Sequence, residues 1–190
     1  MKNITIGFGI CGSFCTFSKA IPQMELLAQN GYNILPIMSP IASTLDTRFG
    51  KASDFKLRIE DICQREIITD ISKAEPIGPK KMIDLMLIAP CTGNTLAKLS
   101  NAITDTSVTM AAKSHLRVGG AVLIALATND ALGATAQNIG KMLNVKNVYF
   151  VPMSQDDPVS KPNSLVAHFD LILPSVEKAL KKEQMQPIFV

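Results

Sequence analysis

Between Pro90 and Thr95 the chain reads Pro-Cys-Thr-Gly-Asn-Thr, a run of small polar residues with broad chemical reach. Asn94 can donate and accept hydrogen bonds at once, Thr92 and Thr95 carry hydroxyls, and Gly93 lets backbone or ligand come close. An apolar run, Met82–Ala89, leads into this cluster, and Leu96, Leu99 and Ile103 follow it at helical spacing. A buried strand that hands over to a polar loop at a helix start is where open α/β sheets place ligands. The free N–H groups of such a helix favour an anion or an electron-rich ring edge. Asn94 or Thr95 could also serve as a plain helix cap. A cap alone does not need six such residues together, so the cluster reads as a binding loop.

Two other loops carry compatible groups. Gly7, Gly9 and Gly12 satisfy G-x-G-x-x-G, yet Gly7 falls inside an apolar strand. The tip of the second strand holds Ser39 and Pro40 where a ribose-binding acid belongs, which points away from a dinucleotide. Gly12-Ser13 before a helix still makes a phosphate cradle of N–H groups and a hydroxyl. Ser39, with Ser43 or Thr44, can add hydroxyls to the same phosphate, and such a lining suits a mononucleotide like FMN. Thr128-Asn129-Asp130 ends another strand, so Asn129 is the third element of one crevice, although Asn129 or Asp130 suits a helix cap equally well. The candidate cofactor-binding set is Gly12, Ser13, Ser39, Thr44, Thr92, Asn94, Thr95 and Asn129.

No catalytic residue stands out. The two histidines, His115 and His168, both fall on predicted helices. His115, beside Lys113 and Arg117, reads as a surface or subunit-contact residue, and His168, among apolar neighbours, as a packed one. Neither has a metal-ligand partner at helical spacing, so no metal site is expected. There is no G-x-S-x-G elbow and no Walker loop. The four cysteines, Cys11, Cys15, Cys63 and Cys91, form no C-x-x-C pair, which implies free thiols in a cytoplasmic protein. Cys11 and Cys91 lie in the ligand loops but read as small buried hydrophobes.

The elements that must position these loops follow from periodicity. Strands are predicted at Ile4–Ile10, Tyr32–Met38, Met82–Ala89, Ala121–Ala127 and Val148–Val151. Helices are predicted at Phe17–Asn30, Phe55–Ile62, Asn94–Asn101, Thr106–Leu116, Ala131–Leu143 and about Leu165–Lys182, the last kinked or split at Pro174. Strands that are apolar throughout and alternate with helices mean a doubly wound parallel sheet covered on both faces. The 190 residues, 47% hydrophobic and 18% charged, fit one α/β domain, residues 1–190, with a core at 3–151 and a C-terminal loop and helix at 152–190. Ser39–Ser53 and Pro152–Asn163 are longer than ordinary connections and read as lids or partner contacts. A net charge of +3, no Trp and 5% aromatics do not make a nucleic-acid platform. No run reaches the roughly 18 apolar residues that span a bilayer, and the first apolar stretch reads as a strand, not a signal peptide.

The segment APCTGNTLAKLSNAITD resembles the P-A-S-A-N-T-x-A-K-x-x-x-G-x-x-D motif of the FMN-binding flavoprotein family. That family includes cysteine decarboxylases of peptide and coenzyme A biosynthesis and a flavin prenyltransferase. Gly12-Ser13 matches its first phosphate loop, and the resemblance covers about residues 3–150. It implies bound FMN and a trimer-based homo-oligomer, with Thr106–Leu116 as the candidate interface. ATNDALG, NIGKML and NVYFVPMSQDDPVSKPNSLVAHFDLILPSVEKAL are similar to one branch of the family, the second subunit of a two-subunit synthase of endospore-forming bacteria. This resemblance implies removal of two hydrogens from a dihydropyridine dicarboxylate to give the aromatic ring. It also implies a first subunit of nicotinamide-dinucleotide type, able to carry NADP, and a place in the mother-cell cytoplasm.

The departures from the family narrow the chemistry. The decarboxylases carry a His shortly before the strand that precedes the Asn-Thr loop. Here that region reads SKAEPIGPKKMID, without His. Thr128-Asn129-Asp130 replaces their Met-Asn-rich substrate motif, and the prenyltransferase's Arg-Glu-Thr-Pro is absent. What remains is a catalytic redox subunit, or a non-catalytic partner that keeps the fold and shapes another subunit's active site, with an FMN-dependent decarboxylase-like enzyme of another pathway as the further alternative.

Overall fold

The computed structural model describes residues 3–190. Five apolar segments form parallel strands: β1 (Thr5–Ile10), β2 (Asn33–Met38), β3 (Leu85–Cys91), β4 (Ala121–Thr128) and β5 (Val148–Phe150). Every residue of β3 is buried, as expected of a strand covered on both faces. One face carries α1 (Phe17–Gln29), α3 (Ala52–Cys63) and α8 (Ile172–Leu180), packed around Phe8, Phe17, Met24 and Val176. The other carries α5 (Gly93–Ser100), α6 (Ser107–Arg117) and α7 (Ala136–Leu143), packed around Met86, Ile88, Val108 and Phe150. Full burial of a Phe of this kind contributes roughly 1.5–3 kcal/mol, so these two layers dominate the fold. Two short helices, α2 (Pro40–Thr44) and α4 (Ile71–Ala74), fill connections.

The parallel strands lie in the order β2-β1-β3-β4, with β5 also on β4. The doubly wound parallel sheet is therefore present, with an antiparallel corner that periodicity did not reveal. β5 pairs with Val122–Ile124 only. The last residues of β4 are taken by β7 (Leu165–Ala167), which runs antiparallel and carries β6 (Met153–Ser154) beside it. The helix predicted from Leu165 thus begins as a strand, because β4 outruns β5 and leaves backbone groups that need partners. Pro174 sits in the first turn of α8, where its missing N–H has no intrahelical partner to lose, and it does not split the helix. Beyond α8 the Gln184 side chain bonds both N (2.8 Å) and O (2.7 Å) of Phe150, and Met153 N donates to Ile188 O at 2.8 Å.

Three smaller expectations are corrected. The helix placed at Ala131–Leu143 starts at Ala136, because Asp130 organises the preceding residues as turns. The long Ser39–Ser53 stretch contains α2, started by Pro40. His115 is not a surface residue: it is 4% exposed, and neither ring nitrogen finds a hydrogen-bond partner. Its imidazole packs on Gly120, where a Cβ would come within 2.2 Å of Nε2. Burial pushes its pKa down, so the ring is held neutral.

Helix α6 is fixed at both ends. A Thr106–Thr109 capping box starts it, and Ser107 donates to the Met38 carbonyl at the end of β2. Near the other end Ser114 Oγ donates to Glu75 O and accepts from Gly78 N at 2.9 Å. Gly78 lies so close to this turn that a Cβ would sit 1.9 Å from the Ser114 carbonyl oxygen. Among the described residues no helix is long and apolar enough to cross a membrane. Gly78→Ala should lower unfolding free energy by about 3 kcal/mol, the upper range for overpacking; urea denaturation followed by circular dichroism will measure it.

Candidate functional site

The crevice follows from how the chain leaves β1 and β3. These strands are neighbours, yet the helix after β1 lies on one face and the helix after β3 on the other. The two loops part there, as at the switch point of open α/β sheets. Cys11 N donates to Pro90 O at 3.2 Å, so the strands stay joined to the last residue before they separate. Two adjoining cavities occupy the opening. The larger, about 680 Å³, is lined by Gly12, Ser13, Cys15, Lys19, Phe49, Thr92, Asn94, Asn129, Asp156 and Lys161 among others. The smaller, about 340 Å³, is lined by Gly12, Ser39, Thr92, Asn94, Thr95, Lys98 and Thr106 with Pro40 and Ile41. Gly12, Thr92 and Asn94 belong to both.

Seven of the eight residues singled out from the sequence therefore line one crevice. Thr44 does not: its hydroxyl donates to Pro40 O at 2.9 Å within α2. Ser43 is turned the same way, at 3.0 Å. Thr92 is the actual cap of α5, accepting from Thr95 N at 3.1 Å, and this releases Asn94 from capping. The side-chain amides of Asn94 and Asn129 make no hydrogen bond among the described residues and remain available at the cavity wall. Ser39 Oγ is buried without a partner, which is costly unless something fills the cavity and bonds it.

The third loop is latched to the second. Asp130 Oδ1 accepts from the Thr128 hydroxyl and, at 2.8 Å, from that of Thr135. This cluster packs on Gly93, where a Cβ would lie 2.7 Å from Thr128 Oγ1 and 2.8 Å from Thr135 Oγ1. Neither Asn129 nor Asp130 caps α7. The hydrogen bonds from Thr128 and then Thr135 hold the Asp130 carboxyl below its ordinary pKa.

Charges around the crevice are mostly paired. Lys98 meets Asp105 at 2.8 Å, and Lys161 meets Asp156 at 2.9 Å. Asp156 also accepts from Ser164 Oγ at 2.6 Å, and these bonds lower its pKa. Lys19 has no ion pair among the described residues. Burial pushes the Cys11 thiol up to about 11 and raises Cys91 as well, so both pack as neutral groups. Cys15, Lys19, Phe49, Asp156 and Lys161 were not singled out from the sequence. Phe49, Asp156 and Lys161 lie in the two stretches flagged by their length, and Lys19 offers no local signal because its meaning comes from a distant strand. His168 is not helical but follows β7, with Nε2 2.7 Å from Ser154 Oγ. Among the described residues no three His, Cys, Asp or Glu side chains are placed to hold a metal ion.

Comparison with known proteins shows the family and the fold. The flavoprotein family model matches residues 1–173. The B subunit of dipicolinate synthase from Bacillus subtilis (strain 168) is 45% identical over 190 residues, covering 100% of this chain and 95% of the relative. The crystal structure of the same synthase's B subunit from Bacillus halodurans C superposes with a TM-score of 0.91 at 42% identity, over 100% of this chain and 98% of that one. The FMN-dependent cysteine decarboxylase SpaF shares the fold, with a TM-score of 0.69 at 20% identity over 94% and 96% of the two chains.

Because the folded-state pKa of Asp130 is depressed, its contribution to stability is present above the usual carboxylate range and disappears as pH falls through the folded value. Asp130→Asn should therefore be less stable than the parent at neutral pH, and the gap should close below about pH 4. Urea midpoints for the two proteins across that range will test it; a constant gap would refute it.

Proposed function

This chain belongs to the flavoprotein family, and on that premise we propose that it is the B subunit of a dipicolinate synthase, oxidising a dihydrodipicolinate-type ring to dipicolinate with FMN held in the crevice. The observation that carries the cofactor reading is Ser39: a buried, unpartnered hydroxyl facing a cavity whose other walls are Gly12, Asn94 and Thr95. The residues fit the group. Gly12 N–H, Ser13 and Ser39 supply a phosphate lining without an acid among them, and the free N–H groups of α5 favour an anion. At Gly12 a Cβ would come within 3.0 Å of the Ile41 side chain, so a larger residue would crowd this wall. Asn94 and Asn129 supply amides that donate and accept toward a heteroaromatic edge. Bound there, an oxidised flavin supplies a two-electron acceptor.

The substrate carries two carboxylates, and the crevice offers one unpaired cation, Lys19. No arginine lines either cavity, although arginine is the usual bidentate clamp. A partner, the A subunit of nicotinamide-dinucleotide type and the place for NADP, therefore completes the substrate site beside the Gln155–Ser164 loop. Residues 1–190 act as one domain in this arrangement, in the mother-cell cytoplasm during sporulation. Copies of the chain assemble into a trimer-based homo-oligomer. Most of α6 is buried in its own chain, and only its last turn, through Leu116, reaches an open apolar surface. The apolar groove of Leu99, Ile103, Leu116, Met142 and Val145 is the better surface.

Ser39→Ala should weaken FMN binding about 10- to 100-fold, the loss of one hydrogen bond to a charged group, and leave riboflavin binding unchanged; calorimetry with both ligands separates phosphate from ring. A folded chain that binds neither FMN nor NADP would refute the cofactor reading. This chain alone should form little dipicolinate, and the mixture with the A subunit should form it readily, measured by absorbance of the product. Equal rates from the A subunit alone would favour the non-catalytic partner.

A further inference from the structure

A third cavity, about 630 Å³, opens beside the crevice between α1 and the β6–β7 pair. Lys19, Asp156 and Val166 line both it and the larger crevice cavity, so the two spaces adjoin through shared walls. His168 also lines the third cavity. The register Met153↔Ala167 and Ser154↔Val166 sets it opposite Pro152, whose O accepts from His168 N at 2.8 Å, and on the same face as Ser154 two residues along. With the backbone so held, Nε2 lies 2.7 Å from Ser154 Oγ. That bond sets the orientation of the ring. Nδ1 makes no hydrogen bond among the described residues. From α1, Gln23 lines the same cavity, and its Oε1 is buried without a partner. The charged groups around the ring are Lys19 from α1, Asp156, already held by Ser164 and Lys161, and Asp170 at the exposed rim.

We propose that this third cavity holds the dicarboxylated ring substrate and that His168, oriented by Ser154, is the acid–base residue of the reaction. This rests on the ring-oxidation reading above and names the group that reading lacked. Aromatisation removes a hydride from one saturated ring carbon and a proton from its neighbour. The electron pair of the first C–H bond would leave with its hydrogen to a two-electron acceptor, the chemistry that a flavin held by Gly12, Ser39 and Asn94 would supply. The pair of the second stays in the ring as the new double bond, and its proton goes to the imidazole, which later returns it to water. Imidazole is the side chain suited to that transfer near neutral pH. Lys19, standing where the two cavities meet, pairs with one substrate carboxylate, and Gln23 meets a polar edge of the ring. Ser154 is a positioning residue, acting through His168.

The test has a binding arm and a kinetic arm. With ring-¹⁵N histidine in the full chain, titration with pyridine-2,6-dicarboxylate should move one histidine's signals, those missing in His168→Gln, and leave those of His115 in place. Lys19→Gln should weaken that binding at least tenfold. Signals of His168 that stay fixed throughout the titration would overturn the cavity assignment. In the complex with the A subunit, His168→Gln should lower kcat by roughly 10²- to 10⁴-fold, the usual worth of a general base, with KM within a few-fold. Ser154→Ala should lower kcat about tenfold, also without raising KM, as expected of a residue that only orients the base. Unchanged kcat in His168→Gln would overturn the acid–base role. If the wild-type complex formed no dipicolinate, the oxidation reading would fail, while the titration would still decide whether the cavity takes a dicarboxylated ring.

Discussion

The rest of the structure depends on β1 and β3 lying side by side. On the face turned toward α6, β1 carries glycine at positions 7 and 9 and so presents almost no side-chain bulk there. At Gly7 a Cβ would meet Ile83 at 2.8 Å, and at Gly9 it would meet Met86 at 2.8 Å and Val108 at 3.1 Å. These glycines are packing residues, which explains why the glycine pattern does not serve a dinucleotide. Larger residues there would have to displace the side chains of Ile83, Met86 and Val108. The residues that leave the ends of the two strands, Gly12 and Thr92 with Asn94, are the ones both crevice cavities share.

Polar contacts then hold the loops in a fixed relation. The Asp130 cluster pins the third loop against Gly93 of the second, while Thr92 caps α5. Each bond is worth on the order of 1 kcal/mol, so none contributes much to global stability. Their effect is local: Asn94 and Asn129 are released from structural duty because neighbours perform it. The exposed ion pairs Lys98–Asp105 and Lys161–Asp156 add little energy of their own. They matter because they leave Lys19 as the unpaired cation among the crevice residues.

The central strands were legible because a strand buried on both faces is an unbroken apolar run, and Leu85–Cys91 is one. The crevice loops were legible because small polar residues cluster where such runs end. The β7 strand was not: Leu165, Val166 and Phe169 also suit a helical stripe, and only the overhang of β4 turns Leu165–Ala167 into a strand. Both histidines were misplaced for the same reason. The surroundings of His115 are set by Gly120 folding back on it, and those of His168 by pairing across a ten-residue loop. Thr44 was drawn toward the crevice by its side chain alone, and a short helix used that hydroxyl instead.

The antiparallel corner separates two tasks along the chain. The groups suited to a cofactor sit on loops rooted in the parallel strands, whereas Ser154 and His168 ride on β6 and the end of β7, joined to the sheet mainly through Ala127 and Thr128. An attachment so narrow can be rebuilt without disturbing the strands beneath it. Exchange of the segment from Met153 to His168 would alter what is admitted beside the crevice while the loops at Gly12, Thr92 and Asn129 keep their shape. The scaffold is thus open to new substrates by replacement of one hairpin, because the phosphate lining at Gly12, Ser13 and Ser39 lies outside the exchanged segment.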